Sequence, residues 1–406
     1  MQTTPKGLRL HIGLYGRRNV GKSSLLNAVT GQEVAIVSDV AGTTTDPVEK
    51  AMELLPIGPV LFIDTAGVDD VGALGQKRIE KTRHAIKRTD VAVLVAEGES
   101  WGDFEEELLQ SFDTAAVTAI VVFNKVDRST PARERVVALR ENGRQVVEMV
   151  ASERRGVAEF KQALLNVVPE SFLEPPPIVG DLVSPGEMVV LVVPIDLEAP
   201  KGRLILPQVQ TMRDILDSDA YCAVLKESEL QSCLDNLRRP PALLVTDSQA
   251  FLEVGRDTPQ EVPMTSFSIL FARFKGDLPT FAEGAAAIDR LQVGDRVLVA
   301  EACTHHPVGG DIGREKIPAW LNQHVGGELV FDVVSGQDFP DDVTPYKLVV
   351  HCGSCTFNRR QLLSRIVQCC QAGVPVTNYG VAIAFSLGML ERALGPFPDA
   401  LARLEG

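Results

Sequence analysis

The 406-residue chain is long enough for two or three domains of ordinary size, and its 45% hydrophobic content is enough to build their cores. Its 40 basic and 54 acidic side chains give a formal net charge of −14, which argues against a broad nucleic-acid-binding surface. Seven cysteines, an odd number that follows no secretory segment, favour a reducing compartment, and no apolar run reaches the roughly 18–20 residues that a membrane-spanning helix needs. We therefore expect a cytoplasmic protein that binds neither membrane nor nucleic acid.

The first motif in the chain is a phosphate-binding loop. Apolar residues 10–15 predict a β-strand, and residues 16–23, GRRNVGKS, fit the pattern G-x-x-x-x-G-K-[ST] just before a predicted helix. The two glycines let the backbone curl so that its N–H groups point at one anion. Lys22 is placed to neutralise the β- and γ-phosphates, and the Ser23 hydroxyl is placed to bind Mg²⁺. The alternative is an ordinary glycine turn capped by serine, and the position between a strand and a helix argues against it.

Two later segments follow in the order that a nucleotide switch requires. Residues 38–44, SDVAGTT, form a polar loop that can bring a threonine hydroxyl to the metal. After the predicted strand 60–63 comes the sequence Asp64-Thr65-Ala66-Gly67. Here Asp64 would hold Mg²⁺ through a water molecule, and the Gly67 N–H would contact the γ-phosphate.

The base-recognition loops lie further along. Residues 91–95 predict another buried strand, and the predicted strand 120–123 leads into Asn124-Lys125-Val126-Asp127. The Asp127 carboxylate can accept two hydrogen bonds from the guanine N1–H and N2 amine, a pattern that adenine does not offer, so the sequence predicts GTP over ATP. Ala151 and Ser152 form the predicted last base-contacting loop, although they differ from the usual Ser-Ala-Lys sequence.

Each of these tetrapeptides also occurs in ordinary turns, but their order and their positions at strand ends favour a nucleotide site. The predicted nucleotide contacts are Asn19, Val20, Gly21, Lys22, Ser23, Ser24, Ser38, Thr43, Thr44, Asp64, Thr65, Ala66, Gly67, Asn124, Lys125, Asp127, Ala151 and Ser152.

A stiff linker, EPPP at 174–177, predicts a domain boundary after the nucleotide-binding third. Strand-like and helix-like segments then alternate, with predicted strands at 188–194 and 242–246 and predicted helices at 211–216 and 227–237. The stretch carries no nucleophile–base pair, phosphate loop or metal-ligand spacing. We expect it to serve assembly, and we expect a homodimer.

The last third carries a second kind of chemistry. Predicted strands at 296–300, 348–350 and 374–377 alternate with predicted helices at 358–370 and 381–394. Cys303-Thr304-His305-His306 follows the first strand, and His351-Cys352-Gly353-Ser354-Cys355 follows the second. Since loops at the carboxyl ends of neighbouring parallel strands converge on one crevice, we expect the three cysteines to meet there.

The spacing of these cysteines predicts a metal site. In Cys-x-x-Cys both thiolates can face one metal while backbone N–H groups point at the sulfurs, and a third cysteine with two nearby histidines completes a ligand set. Tetrahedral zinc and an iron–sulfur cluster are both compatible with this set. Three cysteines on separate loops favour a four-iron cube with one position open or weakly held, and buried thiols without a metal are the remaining alternative.

The first third resembles the GTPases of the TrmE–Era type, with Asn19 in the phosphate loop and Gly42-Thr43-Thr44 in the switch. This resemblance implies a K⁺ site that stands in for an arginine finger and that is formed by Asn19, Ser38, Val40 and Thr43. It also implies Mg²⁺ ligation by Ser23, Thr44 and, through water, Asp64.

The same resemblance bears on hydrolysis. Val68 stands where Ras-like proteins carry a water-positioning glutamine, and Asp70 stands where the TrmE proteins carry a catalytic glutamate. The resemblance therefore implies slow, K⁺-stimulated GTP hydrolysis, with catalytic roles for Lys22, Thr44, Gly67 and Asp70.

The pattern C-x-H, followed after residues 306–350 by H-C-x-x-C, resembles the signature of the [FeFe]-hydrogenase maturation GTPases, the HydF family. With the GTPase third, this resemblance covers essentially the whole chain. It implies a [4Fe–4S] cluster on Cys303, Cys352 and Cys355, with His305 or His351 as a further candidate ligand. It also implies a scaffold that receives a di-iron precursor from two radical-SAM maturases and delivers it to the apo-[FeFe]-hydrogenase.

The sequence therefore predicts an α/β protein of three domains: a P-loop GTPase with a mixed or parallel sheet over 1–173, a small α/β dimerisation domain over 178–262, and a parallel-sheet cluster domain over 263–406. The sequence is also compatible with two other functions. One is a TrmE-like GTPase with a structural zinc domain that acts in tRNA modification. The other is a dimeric binding module with vestigial GTPase loops.

Overall fold

The computed structural model describes residues 4–30, 48–65, 82–194, 204–302, 311–336 and 338–405. The chain forms two compact units, Met1–Pro175 and Pro176–Gly406. Among the described residues, no helix combines the length and the apolar character needed to cross a lipid bilayer.

The first unit is built on one six-stranded sheet in the order β2-β3-β1-β4-β5-β6. Strand β2 is antiparallel to β3, and all other neighbours are parallel, so the sheet is mixed. The inner strands β1, β4 and β5 are mostly apolar and are buried along almost their whole length, as expected where helices cover both faces of a sheet. The strands are β1 (Leu10–Tyr15), β2 (Val48–Leu54), β3 (Gly58–Asp64), β4 (Val91–Ala96), β5 (Thr118–Asn124) and β6 (Gln145–Met149).

Helices follow most strands of this unit, which is the alternation that produces a parallel sheet. Apolar residues of these helices pack on the sheet in two hydrophobic clusters, one including Leu25 and Phe160 and the other including Leu108 and Phe112. The described helices are Lys22–Thr30, residues 82–87, Asp103–Thr114, Arg133–Glu141, Val157–Val167 and Glu170–Leu173.

The second unit contains two four-stranded sheets, in the orders β10-β9-β7-β8 and β12-β11-β13-β14. All pairings in both sheets are parallel. The strands are β7 (Met188–Val192), β8 (Tyr221–Leu225), β9 (Leu243–Thr246), β10 (Met264–Ser266), β11 (Arg296–Glu301), β12 (Val330–Ser335), β13 (Leu348–His351) and β14 (Val376–Asn378).

One hydrophobic core runs through both sheets of this unit, with buried members from Ile178 to Ala400. The helices that cover it are Leu206–Asp217, Leu230–Asn236, Phe251–Asp257, Phe267–Lys275, Leu278–Ala286, Ile317–Val325, Arg359–Gln371, Tyr379–Ser386, Leu390–Leu394 and Pro398–Glu405.

The expected α/β class is confirmed, with a mixed sheet in the GTPase unit and parallel sheets after it. The single helix expected over 381–394 is wrong, because the structure has two helices, Tyr379–Ser386 and Leu390–Leu394. Gly388 lies between them with φ 65°, a left-handed conformation that ends a helix.

Candidate functional site

The phosphate loop connects β1 to the helix Lys22–Thr30, as the motif predicts. Gly21 has φ 97°, and a Cβ atom there would lie 2.2 Å from the Asn124 Nδ2 atom. Only glycine therefore fits between the loop and the end of β5. Lys22 is nearly buried, and its Nζ atom donates to the carbonyls of Gly16 and Arg17 at 2.8 Å each. Its ammonium group thus lies within the curled loop.

Ser23 and Asp64 form the described part of the predicted Mg²⁺ site. The Ser23 hydroxyl donates to Asp64 Oδ2 at 3.3 Å, although the two residues lie on different elements. The other carboxylate oxygen, Oδ1, is buried and has no hydrogen-bond partner among the residues that the structure describes. Burial raises the pKa of Asp64, while Lys22 and Ser23 oppose that shift. A hard divalent cation prefers oxygen ligands and would satisfy the bare oxygen, so these residues fit Mg²⁺.

Asn124 joins the phosphate loop to the predicted base-contacting loops. Its Nδ2 atom donates to the Val20 carbonyl at 2.9 Å, and its Oδ1 atom accepts from the Ala151 N–H at 3.0 Å. Lys125 donates from Nζ to the Asn19 carbonyl at 2.6 Å and to Glu97 Oε1 at 2.7 Å. The described parts of three sequence-distant motifs therefore meet at one end of the sheet.

The other predicted nucleotide contacts that the structure describes differ in their exposure to solvent. Asp127 and Ser152 are exposed, which suits groups that meet a base or ribose at the surface. Thr65 is buried, and its hydroxyl donates to the Leu14 carbonyl at 2.6 Å. Ser24 lies in the first turn of the helix that follows the loop.

Several predicted site residues lie outside the described residues. They are Ser38, Val40, Thr43, Thr44, Ala66, Gly67, Asp70, Cys303 and His305.

Two acidic residues that belong to none of the sequence motifs hold the nucleotide loops. Glu105 is fully buried and accepts two hydrogen bonds from Arg17, one from Nε to Oε1 at 2.8 Å and one from Nη2 to Oε2 at 3.0 Å. Glu97, just after β4, pairs with Lys125. Because Glu105 is 88 positions from Arg17, no local motif could have indicated the pair.

The Cys-x-x-Cys loop starts at the carboxyl end of β13, as predicted. The Cys352 N–H donates to the Ala300 carbonyl at 2.9 Å, which ties the loop to the end of β11. The Cys352 sulfur accepts hydrogen bonds from the N–H groups of Ala302 at 3.0 Å and Ser354 at 3.4 Å. Cys355 is exposed. Backbone donors aimed at the Cys352 sulfur favour its thiolate form and suit a metal ligand.

His351 is buried behind this loop. Arg365 donates from Nη1 to His351 Nε2 at 2.9 Å, so the proton of the ring lies on Nδ1, which donates to the Cys352 carbonyl at 3.0 Å. Burial and the neighbouring Arg365 lower the pKa of His351 to about 3. Both ring nitrogens are thus engaged by protein groups, an arrangement that orients Cys352.

Arg365 is itself held between two aromatic rings, with its guanidinium 4.6 Å from the ring centroids of both Phe339 and Phe357. Its Nη2 atom donates to the Gly336 carbonyl. Burial lowers its pKa to about 10, which leaves the guanidinium charged at neutral pH.

A second buried cation, Lys275, lies under the same loop. It is 3% exposed, and its Nζ atom donates to the carbonyls of Ser354 at 2.9 Å, Phe357 at 3.1 Å and Cys355 at 3.3 Å. Burial lowers its pKa, and Cys355 and Cys352 oppose that shift. No sequence motif marked this lysine.

The described part of the cysteine site fits an iron–sulfur cluster. Its two thiols, the N–H donors to sulfur and the two buried cations suit an anionic, sulfur-bound group. Among the described residues no group of three metal-binding side chains occurs, and Cys303 and His305 fall outside them.

Three family models match consecutive parts of the chain. The family model of the 50S ribosome-binding GTPase matches residues 11–125, that of the hydrogen maturase F dimerization domain matches 178–276, and that of the hydrogen maturase F tetramerization domain matches 279–396.

Two curated relatives are similar to part of the chain. The tRNA modification GTPase MnmE of Chromobacterium violaceum is 36% identical over 160 residues, which are 39% of this chain and 35% of the relative. GTPase Der of Wolinella succinogenes is 36% identical over 168 residues, which are 39% of this chain and 36% of the relative. The chain thus spans about a third of the length of these relatives. The structure of Aquifex aeolicus Era bound to GDP and AlF4⁻ is similar at 22% identity and a TM-score of 0.36, over 61% of this chain and 97% of that one.

The mixed sheet, the phosphate loop and the matching GTPase family define the first unit as a P-loop GTPase domain. The two hydrogen maturase F domains together span more than half of the chain. The chain belongs to the hydrogen maturase F (HydF) family, and the resemblance seen in its sequence is confirmed.

Proposed function

We propose that this protein is a GTP-hydrolysing scaffold that carries a di-iron precursor of the hydrogenase active site to the apo-[FeFe]-hydrogenase. The observation that carries the proposal is the Cys352–Cys355 loop at the carboxyl end of β13, within a hydrogen maturase F domain and in the same chain as a P-loop GTPase. The precursor is cargo, and two radical-SAM maturases supply it.

GTP hydrolysis is supported by the GTPase domain and by the geometry of its loops. Lys22 and the loop N–H groups bind the phosphates, and Asp127 selects guanine. Ser23, Thr44 and Asp64 would hold Mg²⁺, which supplies positive charge against the phosphates when bound. We further propose catalytic roles for Gly67 and Asp70.

A K⁺ ion on Asn19, Ser38, Val40 and Thr43 is the proposed substitute for an arginine finger. Asn19 is the described member of this set and has φ 63°, a conformation in which its carbonyl accepts from Lys125. Hydrolysis is then slow without K⁺ and faster with it. Replacing K⁺ by Na⁺ in a phosphate-release assay tests this proposal, and equal rates would contradict it.

The proposed cluster is a [4Fe–4S] centre held by Cys303, Cys352 and Cys355. His351 is the weaker candidate for an additional ligand because both of its ring nitrogens already have protein partners. His305 is then the histidine proposed to approach the cluster.

Assembly is the proposed role of the middle segment. The two hydrogen maturase F domains support oligomerisation, and we propose a homodimer as the basic form. The predicted boundaries of the three domains, 1–173, 178–262 and 263–406, stay predictions, as does the cytoplasmic location.

The similarity to MnmE over 39% of the chain supports a second candidate, a GTPase of tRNA modification with a zinc-binding C-terminal domain. The hydrogen maturase F domains after residue 178 favour the maturation role.

The two functions are separated by one transfer experiment. The protein is purified anaerobically from cells that also make the two radical-SAM maturases and is mixed with apo-[FeFe]-hydrogenase. We expect hydrogen evolution with wild type and with Cys370→Ala, an exposed thiol outside the site, and none with Cys355→Ala. Absence of activation by wild type, with restored tRNA modification in cells that lack MnmE, would replace the proposal by the alternative.

A further inference from the structure

Lys275 is the last residue of the helix Phe267–Lys275. The usual role of a lysine at a helix C-terminus does not explain its contacts. A cation at a helix C-terminus interacts favourably with the helix dipole and often binds the last carbonyls of its own helix. Here the three carbonyls that Lys275 binds belong to Ser354, Cys355 and Phe357, about 80 positions further along the chain.

The hydrogen bonds of Lys275 are complete, but its charge is not balanced. Three carbonyls satisfy the three N–H donors of the ammonium. Among the described residues, however, Lys275 has no ion pair with a carboxylate, although only 3% of the residue is exposed. Burying a charge without an opposite charge is costly, so a structure that keeps this one implies an anion beside it.

The groups near Lys275 that can carry negative charge are the two cysteines of the loop that it binds, since its Nζ atom contacts the carbonyls of Ser354 and Cys355 within that loop. Three thiolates around a four-iron cube leave a net negative charge, and the reduced cube is more negative still. A buried ammonium next to such a group stabilises the reduced form more than the oxidised one.

We propose that Lys275 is a positioning residue that clamps the Cys352–Cys355 loop and serves as the buried counter-charge of the cluster, raising its reduction potential. This inference rests on the proposed function, because it requires that the loop binds the cluster. It adds a role for a residue of the dimerization-domain match, which ends at 276, in a site that lies in the following domain match.

The test compares full-length protein reconstituted anaerobically with iron and sulfide. The variants are Lys275→Met and Lys275→Arg, with Lys347→Met as matched control, since Lys347 is an exposed lysine at the opposite end of β13. The measured quantities are iron content after gel filtration and the midpoint potential from an EPR-monitored reductive titration. Lys275→Gln, which keeps a donor but lacks the charge, gives the same comparison if Lys275→Met does not fold.

We expect Lys275→Met to keep less iron than wild type and to show a more negative midpoint potential. Lys275→Arg should lie closer to wild type, and Lys347→Met should match it. A Lys275→Met protein with unchanged iron content and unchanged potential would overturn the inference and leave the proposed function intact. A wild-type protein that binds no iron would overturn both.

Discussion

The Asp64 carboxylate is a buried acid at the predicted Mg²⁺ site of the GTPase unit. One of its carboxylate oxygens accepts a hydrogen bond from Ser23, and the other is buried with no hydrogen-bond partner in the described part of the chain. Burial raises the pKa of this carboxyl group. An acid whose folded pKa is raised disfavours its own charged form, so the ionised carboxylate costs folding free energy above that pKa. A bound Mg²⁺ would compensate this cost.

The first prediction concerns this carboxylate. Asp64→Asn should lower the rate of GTP hydrolysis on the order of 100-fold, because the neutral amide no longer supplies the negative charge that holds Mg²⁺ at the phosphates. The same change should not lower the stability of the metal-free protein, because it removes a buried charge. Phosphate release and thermal unfolding measure the two effects, with the exposed Asp113→Asn as control. Hydrolysis at the wild-type rate would contradict the assignment.

His11 is a buried titratable residue of β1 without a role in the site. Its ring nitrogens lie 3.0 Å from the Arg88 carbonyl and 3.1 Å from the Lys6 carbonyl. Burial lowers the pKa of His11 below its usual 6.5, and Asp90 and the two carbonyls oppose that shift only in part. The unfolded chain therefore binds a proton at a higher pH than the folded protein does.

The second prediction follows from this difference. As pH falls from 6.5 towards the folded pKa of His11, the unfolded state gains a proton that the folded state does not, so stability should decrease by at most about 1.4 kcal/mol per pH unit. Chemical denaturation of wild type and His11→Gln between pH 7.5 and 5.5 measures it. Equal pH dependence in the two proteins would show that His11 does not contribute.

Among single residues, the sequence predicted those that belong to a motif. Lys22, Ser23 and Asp64 meet as expected because the phosphate loop and the Asp-x-x-Gly segment each follow adjacent parallel strands. Glu105 and Lys275 were missed because their partners are far away in sequence and no motif contains them.

Among the elements, the central strands were predicted and most edge strands were not; β14, an edge strand that overlaps the strand predicted at 374–377, is the exception. β1 was predicted at its observed bounds, and β4 and β13 to within one residue, because buried parallel strands are continuous apolar runs. β2 and β12 lie at sheet edges, where charged residues interrupt the apolar pattern. Such strands are recognised by their pairing, which a single sequence does not show.

The third prediction concerns another edge strand, β8. It lies at the end of its sheet, and Tyr221 and Val224 expose 53% and 45% of their surface. An uncovered apolar edge strand is a natural pairing surface, and this strand lies within the dimerization-domain match. Val224→Lys should shift the protein towards monomer in analytical ultracentrifugation. Leu252→Lys, which changes an exposed leucine on the helix Phe251–Asp257, should leave the mass unchanged. An unchanged mass for Val224→Lys would exclude this edge as the interface.

At the scale of the whole molecule, the chain combines a nucleotide site and a cysteine site in two separate compact units. The order of motifs along the sequence was sufficient to predict this combination, since each site is built from loops at the ends of parallel strands. The buried cations under the cysteine loop could not be predicted, because they depend on how helices pack on the last sheet.

The fourth prediction is that the nucleotide state regulates partner release. Two sites in one chain are coupled only if a ligand of one changes the binding free energy at the other. The dissociation rate from the apo-hydrogenase or from a radical-SAM maturase should therefore differ severalfold between the protein loaded with a non-hydrolysable GTP analogue and the protein loaded with GDP. Surface plasmon resonance under anaerobic conditions measures these rates. Equal affinities and equal release rates would mean that the GTPase is not coupled to transfer.

EPR of the dithionite-reduced protein, recorded after anaerobic reconstitution with iron and sulfide, tests the cluster assignment directly. Wild type and Cys370→Ala should show a [4Fe–4S]⁺ signal, and that signal should be lost or altered in Cys303→Ala, Cys352→Ala and Cys355→Ala. A wild-type protein that takes up no iron and binds zinc tightly instead would contradict the cluster assignment and the maturation role built on it.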